Sequence, residues 1–194
     1  MREEITEALD SLDEIESDEL RTKVVDVWES ALEANDYDSI HELEWWPPFI
    51  ADTGNQSQVP HVQDVTRCAI AITDSLTSTQ PKLEVDRDLV VAGALLHDVS
   101  KTYEIDGEDT SELHEWLPHP HYAIHLLAKE GLSLHLQHIV FTHSEASGVD
   151  PRSMEARIVQ VADEIACDGI FWSEADELWN DLSREYKMTT EDVP

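Results

Sequence analysis

Ala92-Gly93-Ala94-Leu95-Leu96-His97-Asp98-Val99-Ser100-Lys101 is an apolar run that stops at a histidine, an aspartate and, three residues on, a lysine. With Leu89, Val90 and Val91 ahead of it the run is apolar on every side, which predicts a buried central helix. Neutral imidazole and carboxylate are metal ligands, and adjacent ones can share a cation where a helix bends or ends. A lone His-Asp pair could equally close a buried helix without a metal, since a buried charge needs a partner of some kind. The remaining histidines decide between these readings.

Toward the N-terminus, His61 opens a helix whose buried stripe is Val62, Val65, Ala69, Ile72 and Leu76. A polar loop over 51–60 precedes it, and before that Trp45-Trp46-Pro47-Pro48-Phe49, where consecutive prolines forbid a helix interior. That aromatic stretch reads as a plug over the core or a pocket edge. Leu20 to Ala34 has helical spacing with Trp28 in the packing, and the acidic residues 1–19 read as a solvated helix or frayed arm. Toward the C-terminus, 102–117 is an irregular acidic flap around Gly107. His119-Pro120-His121 starts a helix that Gly131 stops, and Leu134 to Phe141 forms another ending near His143. Glu155 to Cys167 is helical, burying Ile158, Val161, Ala162 and Ile165, and Ile170 to Tyr186 reads as an acidic amphipathic helix before a tail. With no alternating β pattern and no repeat, the class is all-α.

The 194 residues suffice for one domain, which at this size buries roughly 70% of its unfolded surface. Cys68 and Cys167 sit in apolar helical patterns and read as small core residues. No signal peptide and no apolar run near ~20 residues is present, so a cytoplasmic protein without membrane contact is expected. Acidic residues number 43 against 12 basic, a net charge of −31. The acids are spread along a chain that is 41% hydrophobic with six tryptophans, which argues for a packed core rather than disorder. An acidic surface of this kind resembles the proteins of salt-loving archaea, where a Debye length of ~3 Å at molar salt suppresses self-repulsion. So few lysines and arginines cannot build a basic face, and a nucleic-acid partner is not expected. There is no glycine-rich phosphate loop, no His-Glu-x-x-His and no Cys-x-x-Cys.

Candidate ligands therefore recur at helix ends and inward faces: His61, His97 and Asp98, His119 or His121, His143, and Asp163. A helical bundle builds a metal site in its core from such positions. Asp163 lies beside an apolar stripe, where an unpaired carboxylate would be costly. It either ligates a metal or pairs locally, as with Arg157. In this order the residues resemble the signature H…HD…D of the HD superfamily of metal-dependent phosphohydrolases. His119-Pro-His-Tyr-Ala-Ile-His-Leu-Leu127, Ile139-Val-Phe-Thr-His143 and Glu155-Ala-Arg-Ile-Val-Gln-Val-Ala-Asp163 are similar to further motifs of that family, and the likeness covers about residues 58 to 170. The family's HDIGK reads HDVSK here, with Ser100 for glycine, and no Gly-Tyr-Pro signature follows.

The resemblance implies an HD-domain bundle over 46–175, with 1–45 as an acidic helical arm packing on the core and 176–194 as an acidic helix and tail. It implies a first ion on His61, His97, Asp98 and Asp163, and a second on His119 and His143 with Asp98 bridging. The cofactor is one or two divalent ions among Mn, Co, Ni, Mg, Zn and Fe. Motif alignment favours His119 over His121 as the ligand, which leaves His121 to substrate. Asp98 and Lys101 are the catalytic candidates, Lys101 holding a phosphate oxygen or forming a salt bridge behind the ions. The expected activity is metal-dependent hydrolysis of a small phosphate ester, with a nucleotide as the leading substrate. A di-iron oxygenase and a non-catalytic nucleotide sensor are the alternatives, and the oligomeric state stays open. His41, His114, His125, His135 and His138 fit no motif, although His114 on the flap is placed where substrate could reach it.

Overall fold

The central helix predicted from the apolar run is present as α4 (Arg87–Leu96), and everything from Val90 to Leu96 is buried. Asp86 caps its start by accepting the N–H of Leu89. In this computed structural model the described residues are 1–45, 57–106, 109–176 and 178, with backbone alone at 105, 106, 109, 110 and 175. Around α4 stand α1 (Arg2–Ala8), α2 (Asp18–Ala34), α3 (Gln58–Thr79), α5 (Glu112–Trp116), α6 (His119–Lys129), α7 (Leu134–Phe141) and α8 (Met154–Ala175). The class is all-α. Its β content among the described residues is the two-residue hairpin β1 (Ile105–Asp106) and β2 (Asp109–Thr110) in the flap, and an isolated bridge between Glu44 and Ser57. None of the described helices is long and apolar enough to cross a membrane.

α4 touches α2, α3, α7 and α8, and α3 and α8 lie along one another. Gly93 sets the approach of α7, because a Cβ there would lie 2.5 Å from Ile139 Cγ2. α3 begins at Gln58 rather than His61, so part of the expected loop is its first turn, which tolerates Pro60. Its buried face includes Thr66 and Thr73 in place of Ile72 and Leu76, which are partly exposed. The two threonine hydroxyls donate to the carbonyls of Val62 and Ala69, four residues back, so they enter the core satisfied.

Three sequence expectations are corrected. Residues 1–19 are not a solvated arm: Ile5, Leu9, Leu12 and Ile15 are buried in the main core. Asp88 in the first turn of α4 accepts the backbone N–H groups of Glu16 and Ser17, at 2.8 and 2.9 Å, tying that segment down. On α8 the buried stripe is Ala156, Val159, Ala162, Ala166 and Ile170, together with Ile158. Val161 is only partly buried and Ile165 is 54% exposed. The helix also runs past Cys167 without a break and ends at Asp176, which adopts a left-handed φ of 59°. The expected separate helix from Ile170 therefore begins as the last turns of α8, and most of its remainder lies outside the described residues. Gly131 and Gly148, at φ 68° and 67°, make the turns after α6 and before α8 as expected.

Candidate metal centre

α4 ends at His97, and the chain tightens into a 3-10 turn over Val99–Tyr103. That change of winding lets adjacent His97 and Asp98 face one centre. His61 comes from the second turn of α3, His119 from the first residue of α6, His143 from just beyond α7, and Asp163 from mid-α8. His61, His97 and Asp163 each offer a ligand atom within 4.8 Å of the others, and so do Asp98, His119 and His143. The Nε2 atoms of His61 and His97 are 3.2 Å apart, and those of His119 and His143 3.3 Å. Asp163 Oδ1 lies 3.1 Å from His61 Nε2 and 3.7 Å from His97 Nε2. Asp98 spans both groups: Oδ2 is 3.5 and 3.3 Å from Nε2 of His61 and His97, and Oδ1 is 3.6 and 3.5 Å from Nε2 of His119 and His143.

The protonation pattern fits this donor set to a cation. His97 Nδ1 sits 2.7 Å from the Ala94 carbonyl, His143 Nδ1 2.6 Å from the Val140 carbonyl, and His119 Nδ1 3.0 Å from Glu104 Oε1. Each contact places the proton on Nδ1 and leaves Nε2 as a lone pair. The Nε2 lone pairs of His119 and His143 face each other at 3.3 Å, an arrangement that a divalent ion between them relieves. Burial holds His61 and His143 below the ordinary histidine value, favouring the neutral form, whereas at His97 burial is outweighed by the Asp98 and Asp163 carboxylates, which hold the imidazole above it. Burial opposes charge on Asp98, but Lys101 and His97 outweigh it and hold the carboxyl well below the usual range. Asp163 is likewise held low, with His61 outweighing burial.

A second layer supports these ligands. Lys101 is buried, with Nζ 3.1 Å from Asp98 Oδ2 and 3.3 Å from the Trp45 carbonyl. Gln58 Nε2 donates to the same Asp98 oxygen at 2.8 Å. Glu104 Oε1 is shared between Nδ1 of His119 and Nδ1 of His114, at 3.0 and 3.3 Å. Burial alone would raise Glu104, but the two histidines keep it ionised, and it in turn raises His114. The Trp45 ring lies 4.7 Å from that of His61 and 5.7 Å from Phe171. Trp46 to Phe49 of the expected plug are outside the described residues. Cys167 Sγ is 3.6 Å from Asp163 Oδ1, one turn along α8, and burial pushes this thiol up so that it stays protonated. Among the six candidate ligands, Asp163 and His119 retain the most exposure, 15% of each side chain.

Spacing thus brought together His61, His97, Asp98, His119, His143 and Asp163. His121 is elsewhere: its ring meets Phe141 edge-on at 5.2 Å, and its buried Nδ1 has no partner among the described residues. Arg157 pairs with Glu164, not Asp163, and Arg67 pairs with Asp10 and Asp64. Gln58 and Glu104 were missed. The signal for Gln58 was its position one turn ahead of His61 on one helix, and Glu104 carried none, since it lies in irregular chain.

The family model of the HD domain matches residues 60–168. The dihydroneopterin 2′,3′-cyclic phosphate phosphodiesterase of Methanocaldococcus jannaschii is 33% identical over 111 residues, covering 55% of this chain and 44% of that protein. The chain therefore spans less than half the length of this curated relative. No solved structure matches the chain significantly.

Proposed function

The chain belongs to the HD domain family, and from that premise we propose that it is a metal-dependent phosphohydrolase of a small phosphate ester. The observation that carries the reading is the convergence of four imidazole Nε2 atoms and two carboxylates, with Asp98 reaching both groups. His61, His97, Asp98 and Asp163 would hold one ion, and His119, His143 and Asp98 a second. A mixed imidazole and carboxylate set suits Mn, Fe, Co, Ni or Zn. A bound divalent ion lowers the pKa of a water from 15.7 to about 7 and neutralises phosphate charge.

The chain's own residues then have distinct tasks. Asp98 and Asp163 take charge from one side, while Lys101 holds Asp98 ionised in a buried position. Asp163 and His119, the most exposed of the six, are the ones the ester would reach first, and the Trp45 ring packs beside His61. The oxygen of a water would form the new bond to phosphorus as the ester P–O bond breaks, and the proton that this water gives up would end on the departing oxygen.

We take the substrate to be a nucleotide-like molecule carrying a cyclic phosphodiester. The named activity of the Methanocaldococcus relative supports that choice. The site of action is the cytoplasm. The test is turnover of 2′,3′-cyclic nucleotides, dihydroneopterin cyclic phosphate and 5′-nucleotides with Mn, Co, Ni, Mg or Zn at near-molar salt. Ring opening with a redox-inert ion supports the reading. Oxygen consumption by an iron-loaded protein would instead indicate a di-iron oxygenase, and tight nucleotide binding without turnover a sensor.

A further inference from the structure

Gln58 is completely buried in the first turn of α3, one turn ahead of His61. Its backbone N–H donates to the Leu43 carbonyl at 2.7 Å, next to the Glu44–Ser57 bridge, so its position is fixed from the backbone. Its side chain reaches Asp98 Oδ2, with Nε2 at 2.8 Å. A carboxylate only accepts, so the carboxamide must present its NH2 end there. The opposite end, Oε1, is buried and meets no hydrogen-bond donor among the described residues. A buried acceptor of that kind calls for an explanation, and a functional ligand supplies one.

Asp98 Oδ2 receives two protonated donors from the chain, Gln58 Nε2 and Lys101 Nζ at 3.1 Å. Oδ1 receives none of this kind and faces Nε2 of His119 and His143. The chain's donors therefore anchor Asp98 through Oδ2, the oxygen that also faces Nε2 of His61 and His97, while Oδ1 is turned to the other pair. Lys101 lies three residues away on the same turn, whereas Gln58 arrives from a different helix and fixes direction.

We propose that Gln58 is a positioning residue of the metal centre: its NH2 sets the rotation of the Asp98 carboxylate between the two ligand groups, and its Oε1 accepts an O–H from a molecule held there. The inference rests on the metal-centre reading above. Without Gln58, Lys101 alone restrains Oδ2, and the carboxylate can turn about its Cβ–Cγ bond. Ordered ligands bind an ion more tightly than ones that must first be ordered, and losing such a supporting contact typically weakens metal affinity about 10–100-fold.

The experiment is calorimetric titration of Mn²⁺ into metal-free wild type, Gln58→Met and Gln58→Glu, with thermal melting of each metal-free protein. Gln58→Met keeps side-chain length and removes both polar ends. Gln58→Glu keeps an acceptor but replaces the donor with an oxygen that repels Asp98. Both variants should bind Mn²⁺ about 10–100-fold more weakly, with Gln58→Met melting close to wild type. Wild-type affinity in a folded Gln58→Met, or tighter binding by Gln58→Glu, which would make this position a direct ligand, overturns the proposal. Failure of wild type to bind Mn²⁺, Co²⁺ or Zn²⁺ at all would overturn the metal-centre reading itself, and this inference with it.

Discussion

The indole Nε1 of Trp28 donates to the carbonyl oxygen of Leu95 at 2.9 Å, and both residues are fully buried. Leu95 lies two residues before His97, at a helix end where carbonyls lose their intrahelical partners. A side chain from outside the matched span 60–168 therefore satisfies the backbone of the HD motif's own helix. Helices α1 and α2 are part of the core that positions the centre, not an accessory to it.

Trp28→Phe leaves the Leu95 carbonyl buried and unpaired, at a cost of about 1–3 kcal/mol. At about 2–4 °C per kcal/mol for a chain of this size, the melting temperature should fall measurably. An unchanged melting temperature would show that the carbonyl finds another donor.

Gly93→Ala sets helix propensity against packing. Alanine gains about 1 kcal/mol over glycine in a helix, but its Cβ would sit 2.5 Å from Ile139 Cγ2, on a β-branched side chain that cannot easily turn away. Overpacking costs about 1–3 kcal/mol, so the net effect is destabilising. In a double-mutant cycle with Ile139→Ala, the combined loss should be smaller than the sum of the single losses.

Asp98→Ala removes a proposed metal ligand and also strips buried Lys101 of its carboxylate. Breaking a buried pair costs about 3–5 kcal/mol. Loss of activity in that variant is therefore ambiguous by itself. Asp98→Ala combined with Lys101→Met should recover most of the lost stability while still failing to retain metal. Elemental analysis beside urea denaturation separates the two effects, and metal retained by the double variant would refute the ligand assignment.

Glu155 is buried near the start of α8, where its Oε1 accepts the Asp86 N–H at 2.9 Å and its Oε2 lies 3.4 Å from His135. Burial would raise its pKa, but these contacts dominate and hold it below the ordinary glutamate value. A depressed folded-state pKa contributes stability that is fully present above the unfolded value, about 4.3, and is lost as pH falls through the folded value. Wild type should lose stability on acidification through that window. Glu155→Gln should start less stable at neutral pH and show a shallower acid slope. Parallel acid titrations of the two would exclude this role for Glu155.

A net charge of −31 over a folded surface should make stability depend on screening. Raising KCl from about 0.15 M to about 1 M shortens the Debye length from about 8 Å to about 3 Å, and the melting temperature should rise throughout. A flat response would mean that the acidic groups are too far apart to repel.

Residue chemistry and order along the chain determined the helical class and picked out the six candidate ligands that the fold brings together. An apolar run ending in His97-Asp98, and histidines at the ends of other apolar segments, are local patterns that survive whatever the helices pack against. Tertiary structure alone decided what stands behind those ligands and which way each helix is turned. Val161 and Ile165 fit a helical stripe as well as Val159 and Ala166 do, and α3 and α4 chose the second set. Ile5 to Ile15 read as a sparse solvated face until Asp88 and the surface of α4 covered them. Gln58, Glu104 and Lys101 acquire their roles from a carboxylate or imidazole brought from elsewhere in the fold, except that Lys101 and Asp98 share a turn. A side chain's partner across a core is fixed by packing over long sequence separation, and no local spacing encodes it.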